Sequence, residues 1–325
     1  MTVSASAQES AEDSFRHIGL IYRDFDEYAT GCASFLERAL ALGDPALVAV
    51  PGERGELIKE RLGGRAADVV FRDMAVAGRN PGRIIPAVLL AFAEANPGRR
   101  VWIIGEPIWP GRSPLEYPAC VAHEALINAA FSGRDAAILC PYDAIGLEPR
   151  AIDDAGTTHP EMWDGPDVWA SPSYGDPVVT AVTFDWPLPP PPRQAAMFPF
   201  EGVGALAPLR EFVAGWAEAA GLPEQRIPDL LIAVNELATN TAEHTGEPGT
   251  VWMWREDGLL VCQIDDVGQI DDPMVGRVPP PDSVGRGRGI LIVNELADLV
   301  RVHRRSGGTS VRIHFELPAV AAQGL

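Results

Sequence analysis

From Phe15 to about Leu147, short apolar runs alternate with longer stretches whose apolar residues recur at helical spacing. The runs HIGLIYRD (17–24), ALVAVP (46–51), DVVFRDM (68–74), RVWIIGE (100–106) and AAILCPYD (136–143) predict strands. Between them, YATGCASFLERALALG and IIPAVLLAFAEANPG predict helices, the second closed by a Pro-Gly stop. Regular alternation of strand and helix predicts an α/β domain whose parallel sheet is covered on both faces.

The pattern breaks over residues 150–200, which are rich in Pro, Asp and Trp and culminate in WPLPPPPR (186–193), a predicted polyproline II spacer. Beyond it, ALAPLREFVAGWAEAAGL and IPDLLIAVNELATNTAEHTG predict amphipathic helices, the latter with Pro228 near its start and Gly246 closing it. TVWMWRED, GLLVCQIDD and TSVRIHFEL predict strands, so the second half reads as helices on a mainly antiparallel sheet, an α+β domain. The expected organisation is a disordered tail over 1–14, an α/β domain over 15–165, a Pro-rich linker over 166–199 and an α+β domain over 200–325. No internal repeat is apparent.

A chain of 325 residues with 46% apolar content accommodates two globular domains. No apolar run reaches the roughly 18 residues that a membrane span needs, and the polar, acidic start MTVSASAQESAEDSF lacks the form of a signal peptide. The expected location is the cytoplasm. Cys32, Cys120, Cys140 and Cys262 are widely spaced, which points to reduced thiols rather than a disulfide framework or a zinc ribbon. With 26 basic and 45 acidic side chains the net charge is −19, which opposes direct nucleic-acid binding.

One helix carries more than its core face needs. In NELATNTAEH (235–244), Glu236, Asn240 and His244 follow one another at four-residue steps and so form one polar stripe. Three stretches follow in order: DDVGQ (265–269) at a strand end, GRGRGILIVNELAD (285–298) as a Gly-rich turn feeding a helix, and GGTSVRI (307–313) as a turn into a strand. Together they resemble the N, G1, G2 and G3 boxes of the GHKL ATPase superfamily, and most closely its anti-sigma-factor serine kinase branch, over about residues 200–317.

The resemblance implies a Bergerat-type ATPase sandwich that binds ATP and Mg²⁺. Glu236 is placed to activate a hydroxyl or a water, and Asn240, one turn on, offers a neutral oxygen to Mg²⁺. His244 shapes the phosphate region or caps the helix. Asp266 is the candidate reader of the adenine amine, with Gly268 letting the backbone approach the ring. Here the chain departs from the family's D-x-G-x-G, because Ile270 stands where the second glycine is expected. The Pro-rich stretch 271–284 suits an ATP lid. Gly285, Gly287 and Gly289, with Arg288, are the phosphate candidates at a helix N-terminus, and Thr309 completes the adenine site by resemblance.

Residues from about Phe15 to Pro160 resemble the MEDS sensory domain, through HIGLIYRD, GRNPGRIIPAVLLAF, GEPIWPGRSPLEYPACVAHEALINAAF and AILCPYD. That resemblance implies a RecA-like core that senses a small organic ligand. VPGERGELIK stands where a phosphate-binding loop is expected but lacks the G-x-x-x-x-G-K-[ST] pattern. At the C-terminal ends of the predicted strands, Glu106, Trp109, Arg112, Cys140, Tyr142 and Asp143 are the ligand candidates, against a reading in which both segments are turns that hold the fold.

The resemblance implies an anti-sigma-type regulator in signal transduction and stress response, phosphorylating serine or threonine on a STAS-domain partner and binding a sigma factor, with members of the branch often dimeric. A noncatalytic ATP-dependent sigma-binding module is the alternative, and a histidine kinase with His123 as acceptor is the third reading.

Overall fold

The computed structural model describes residues 15–280 and 287–318, and these divide into two compact units, 1–184 and 185–325. The tail 1–14 lies outside the described residues.

In the first unit the strands are β1 (Phe15–Tyr22), β2 (Ala46–Val50), β3 (Val69–Asp73), β4 (Val101–Gly105), β5 (Ala136–Asp143), β6 (Glu161–Asp164) and β7 (Asp167–Ala170). The helices used below are α1 (Phe25–Leu42), α2 (Gly52–Leu62), α3 (Tyr117–Ala130), α4 (Pro149–Thr158) and α5 (Pro177–Thr183). The sheet runs β3-β2-β4-β5-β1-β6-β7, with every pair parallel except β6–β7. The expected parallel sheet is therefore present, extended by an antiparallel hairpin at its edge.

Fully buried runs such as ALVAV and VWIIG form the inner strands because both of their faces are covered. Side chains alternate along each strand. Ile18, Leu20, Tyr22, Ala137, Leu139, Trp102 and Ile104 meet α1 and α2 in one core, and the intervening residues face the side that carries α3. Asp24 caps α1 by accepting N–H bonds from Asp26 and Glu27. The helical stretch 81–94 is wound as a π-helix over Ile84–Leu90, where Pro86 has no N–H to give to a regular ladder.

The second unit contains β8 (Ala196–Phe200), α6 (Leu206–Ala220), α7 (Ile227–His244), β9 (Gly249–Glu256), β10 (Leu259–Asp266), α8 (Gly289–Leu296), β11 (Leu299–Arg305) and β12 (Gly308–Glu316). Its antiparallel sheet runs β11-β12-β10-β9-β8. One face packs on α6, α7 and α8 through Leu209, Val213, Leu237, Val293, Ile313 and Phe315, which gives the layered α+β arrangement expected of a GHKL-type domain. On the other face Arg312 stacks on Trp254 and donates to Gln263 Oε1 and Pro189 O. His303 meets Asp185 at 2.8 Å. Residues 166–199, read from sequence as a linker, thus hold β7, α5 and most of β8, and their proline-rich part contributes a carbonyl to the second sheet. No helix among the described residues is long and apolar enough to cross a membrane, and all four cysteines are free and buried.

Candidate functional site

Helix α7 buries Leu230, Ala233, Val234, Leu237, Ala238 and Thr241 against the second core, which leaves Glu236 and Asn240 half-buried along its edge and His244 exposed at its last turn. Neither the Glu236 carboxylate nor the Asn240 amide is engaged by a hydrogen bond or ion pair with another described residue. Gly289, the first residue of α8, sits directly against them. A Cβ there would fall 3.0 Å from Glu236 Oε2 and 3.2 Å from Asn240 Nδ2. The glycine keeps open a small cradle bordered by a carboxylate and an amide.

Asp266, at the end of β10, is held on both oxygens. Thr241 Oγ1 donates to Oδ2 at 2.6 Å, and the Gly268 N–H donates to Oδ1 at 2.8 Å. Each oxygen keeps a further lone-pair direction, so the carboxylate is oriented yet can accept one more donor. Thr309 is the cross-strand partner of Asp266 and donates Oγ1 to Gly268 O at 2.7 Å. Gly308 has φ +136°, and a Cβ on it would lie 1.8 Å from Asp266 O, so the two strand ends close only around glycine.

These groups border one cavity of about 370 Å³, lined by Asn240, His244, Asp266, Gly268, Gly287, Gly289 and Thr309 together with the apolar Ile264, Ile290 and Val311. Such a volume suits a small molecule, with an apolar wall for a ring and a few polar groups to orient it. Glu236 and Arg288 stand outside that lining, and Gly285 lies outside the described residues. Ile270 also lines the cavity and packs on the second core, taking with an apolar side chain the place expected for a second glycine. Thr241 escaped the sequence reading, although a small hydroxyl residue beside Asn240 on the core face is its visible signal.

The ligand candidates of the first unit fall into three sets of contacts. Glu106 and Asp143 converge on Arg54 of α2, which also donates to Tyr22 Oη and lies 5.9 Å from the Tyr28 ring centre. Burial pushes the Tyr22 phenol up to about 12. This group sits at the C-terminal ends of β1, β4 and β5, where open parallel sheets bind ligands. Arg54 comes from the same segment, VPGERGELIK, that lacks a phosphate-loop pattern.

Trp109 and Arg112 form a second set. The guanidinium lies 4.1 Å from the ring centre and is tied down by Pro107 O, Arg79 O and Glu116 at 2.9, 3.0 and 2.6 Å. Such a stack braces its loop. Cys140 and Tyr142 make a third, facing the opposite side of the sheet. Cys140 lies 3.4 Å from His17, and Tyr142 stacks edge-on against His159. His123, the candidate phosphoacceptor, is buried within α3.

Comparison with protein families separates the chain along the same lines. Residues 16–160 match the family described as MEDS, the methanogen/methylotroph, DcmR sensory domain, and residues 202–315 match the histidine kinase-like ATPase domain. The chain thus carries a MEDS domain followed by a histidine kinase-like ATPase domain. Comparison with curated proteins gave no match. The MEDS match covers β1 to β5 and the Arg54 cluster, and the ATPase match covers the cavity between α7, β10, α8 and β12. The protein is thus a regulator with a sensory domain and an ATP-binding module of the GHKL type.

Proposed function

We propose that the ATPase domain moves the γ-phosphoryl group of ATP to a serine or threonine on a STAS-domain anti-anti-sigma partner, and that the same domain holds a sigma factor when that partner is phosphorylated. The observation that carries this reading is the meeting of Glu236 and Asn240 with Gly289, beside a cavity that Asp266 and Thr309 also line. Asp266 accepts the adenine amine while Thr241 and Gly268 hold it in place. Gly287 and Gly289 present backbone to the phosphates, and the Asn240 amide, whose Nδ2 and Oδ1 both border the cradle, offers its oxygen as a neutral ligand for Mg²⁺. Mg²⁺, when bound, supplies charge neutralisation on the phosphate oxygens.

Glu236 takes the proton of the attacking hydroxyl as the new O–P bond forms and ADP departs. The MEDS domain biases this activity through a small organic ligand, with the Arg54, Glu106 and Asp143 group as the favoured place. A cytoplasmic homodimer belongs to the same reading, by resemblance to the kinase branch.

A second reading, a noncatalytic module that uses ATP only to shape a sigma-binding surface, draws on Ile270 in the cavity wall. Incubation with labelled ATP and a STAS-domain substrate separates the two. Acid-stable phosphoserine or phosphothreonine on the partner is expected, with transfer by Glu236→Ala reduced 10²- to 10⁴-fold, on the order of a general-base contribution, while nucleotide binding persists. Retention of ATP without transfer would select the noncatalytic module, and normal transfer by Glu236→Ala would remove the proposed base.

A further inference from the structure

His17 on β1, Glu124 on α3, Cys140 on β5 and His159 just after α4 place one ligand atom each within 4.8 Å of one another. The side chains of His17, Glu124 and His159 are 0% exposed, and Cys140 is 1% exposed as a residue. No role in nucleotide chemistry or in the Arg54 group accounts for them, and they lie on the other face of the sheet.

The hydrogen bonds around the cluster fix its protons. Asn128 spends its amide N–H groups on Ala125 O and Thr158 O at 3.1 and 2.8 Å, so its Oδ1 is the atom facing His17 Nδ1 at 3.1 Å. An oxygen can only accept there, so His17 carries its proton on Nδ1. His159 Nδ1 lies 2.9 Å from Ala155 O, which imposes the same tautomer on the second ring. As neutral imidazoles, both rings then turn an Nε2 lone pair inward. Each Nε2 approaches Glu124 Oε2 at 3.3 Å, yet both Glu124 oxygens and His159 Nε2 are buried without a hydrogen bond. Two imidazole lone pairs and a carboxylate thus converge, with the Cys140 thiol as the single proton donor among the ligand atoms. Left alone, such a group carries an uncompensated desolvation cost.

We propose that His17, Glu124, Cys140 and His159 bind a divalent transition-metal ion, with zinc as the best fit, at the sheet–helix interface of the sensory domain. Zinc takes imidazole, thiolate and carboxylate ligands at roughly 2.0–2.3 Å in a tetrahedron, whose edges are then roughly 3.3–3.6 Å. The distances from His17 Nε2 to Glu124 and Cys140, 3.3 and 3.4 Å, already match such edges. Binding displaces one proton, from Cys140 Sγ, and the thiolate and carboxylate charges then balance the ion's two positive charges. Asn128 and the Ala155 carbonyl, each engaging the outer nitrogen of a ligating ring, are the supports such sites use. Gly19, on the same strand face as His17, leaves space that a Cβ would take from Met162 Sδ at 2.9 Å and from His159 Cγ at 3.3 Å. Four protein ligands make a closed site that ties β1, α3, β5 and the end of α4 together.

The test is elemental analysis of the full chain, purified under reducing conditions without added chelator, followed by growth in cobalt-supplemented medium. One equivalent of metal is expected, together with the visible d–d bands of tetrahedral cobalt and a thiolate-to-cobalt charge-transfer band. Cys140→Ser should remove the charge-transfer band, whereas Cys32→Ser should leave it unchanged. Asn128→Ala, which spares every ligand, should weaken metal affinity by 10- to 100-fold, on the scale of outer-shell substitutions. Folded wild-type chain without metal and without a cobalt spectrum overturns the site, irrespective of how the variants fold, as does a charge-transfer band that survives in Cys140→Ser.

Discussion

Gly308 shows how far one residue can hold the candidate site together. Its φ is +136°, and a Cβ at this position would lie 1.8 Å from Asp266 O. Any side chain therefore strains the backbone and pushes β10 from β12 at the end where Asp266 and Thr309 sit. Gly308→Ala should cost about 3–5 kcal/mol, combining backbone strain with overpacking, and should weaken nucleotide binding along with stability. Gly307, its neighbour, is the control. A Cβ there meets nothing nearer than 3.7 Å, so Gly307→Ala should change stability by less than about 1 kcal/mol. Urea midpoints with a nucleotide titration read both outcomes, and equal effects of the two substitutions would contradict the close-approach argument.

At the scale of elements, β12 alternates between Val311, Ile313 and Phe315 in the core and Arg312 and His314 on the other face. Burial, outweighing the Leu299 O contact and reinforced by Arg312 and Arg301, lowers the His314 pKa to about 4. The folded state thus keeps His314 neutral while the unfolded chain protonates near pH 6.5. This group contributes no pH dependence above about pH 6.5, and stability falls as pH drops from there to about 4. The loss at pH 5 amounts to about 2 kcal/mol. His314→Gln, which cannot titrate, should unfold with a shallower pH dependence over that window, and identical profiles for the two chains would count against it.

The same alternation explains what the sequence reveals and what it hides. The strands β1, β2, β4 and β5 are legible because their apolar runs are largely buried on both faces and their helices are long, whereas the edge strand β3, with Val70 exposed, is legible from its β-branched and aromatic run. The β6–β7 hairpin, β8 and β11 are not, since Trp-, Pro- and Asp-rich or Arg-rich runs carry no clean period, as LVRVHRR shows. The nucleotide-site candidates lie in contiguous motifs, so Asp266, Gly268 and Thr309 could be read in order. Arg54 meets Glu106 and Asp143 only in three dimensions. His17 lies 123 residues from Cys140 and 111 from Asn128, so that cluster has no local pattern to read.

For the whole molecule the decisive quantity is charge. The chain carries a net charge of −19, and the described lining of the cavity includes Asp266, Asp271 and Asp272 and contains neither Lys nor Arg. A nucleotide triphosphate approaching such a surface is repelled, and screening relieves the repulsion as the Debye length falls from about 10 Å at 0.1 M salt toward 3 Å at 1 M. Binding should therefore depend on a divalent cation that turns the phosphate end into an acceptable partner for Asn240. Titration of a fluorescent ATP analogue should show affinity falling on the order of tenfold, about 1.4 kcal/mol, when magnesium is replaced by a chelator. In magnesium, added salt should leave affinity unchanged or improve it, whereas a site built on the chain's own cations weakens with salt. Equal binding with and without magnesium, together with loss in salt, would transfer the phosphates from Asn240 and its ion to arginines of the chain and would undo the role given to that amide.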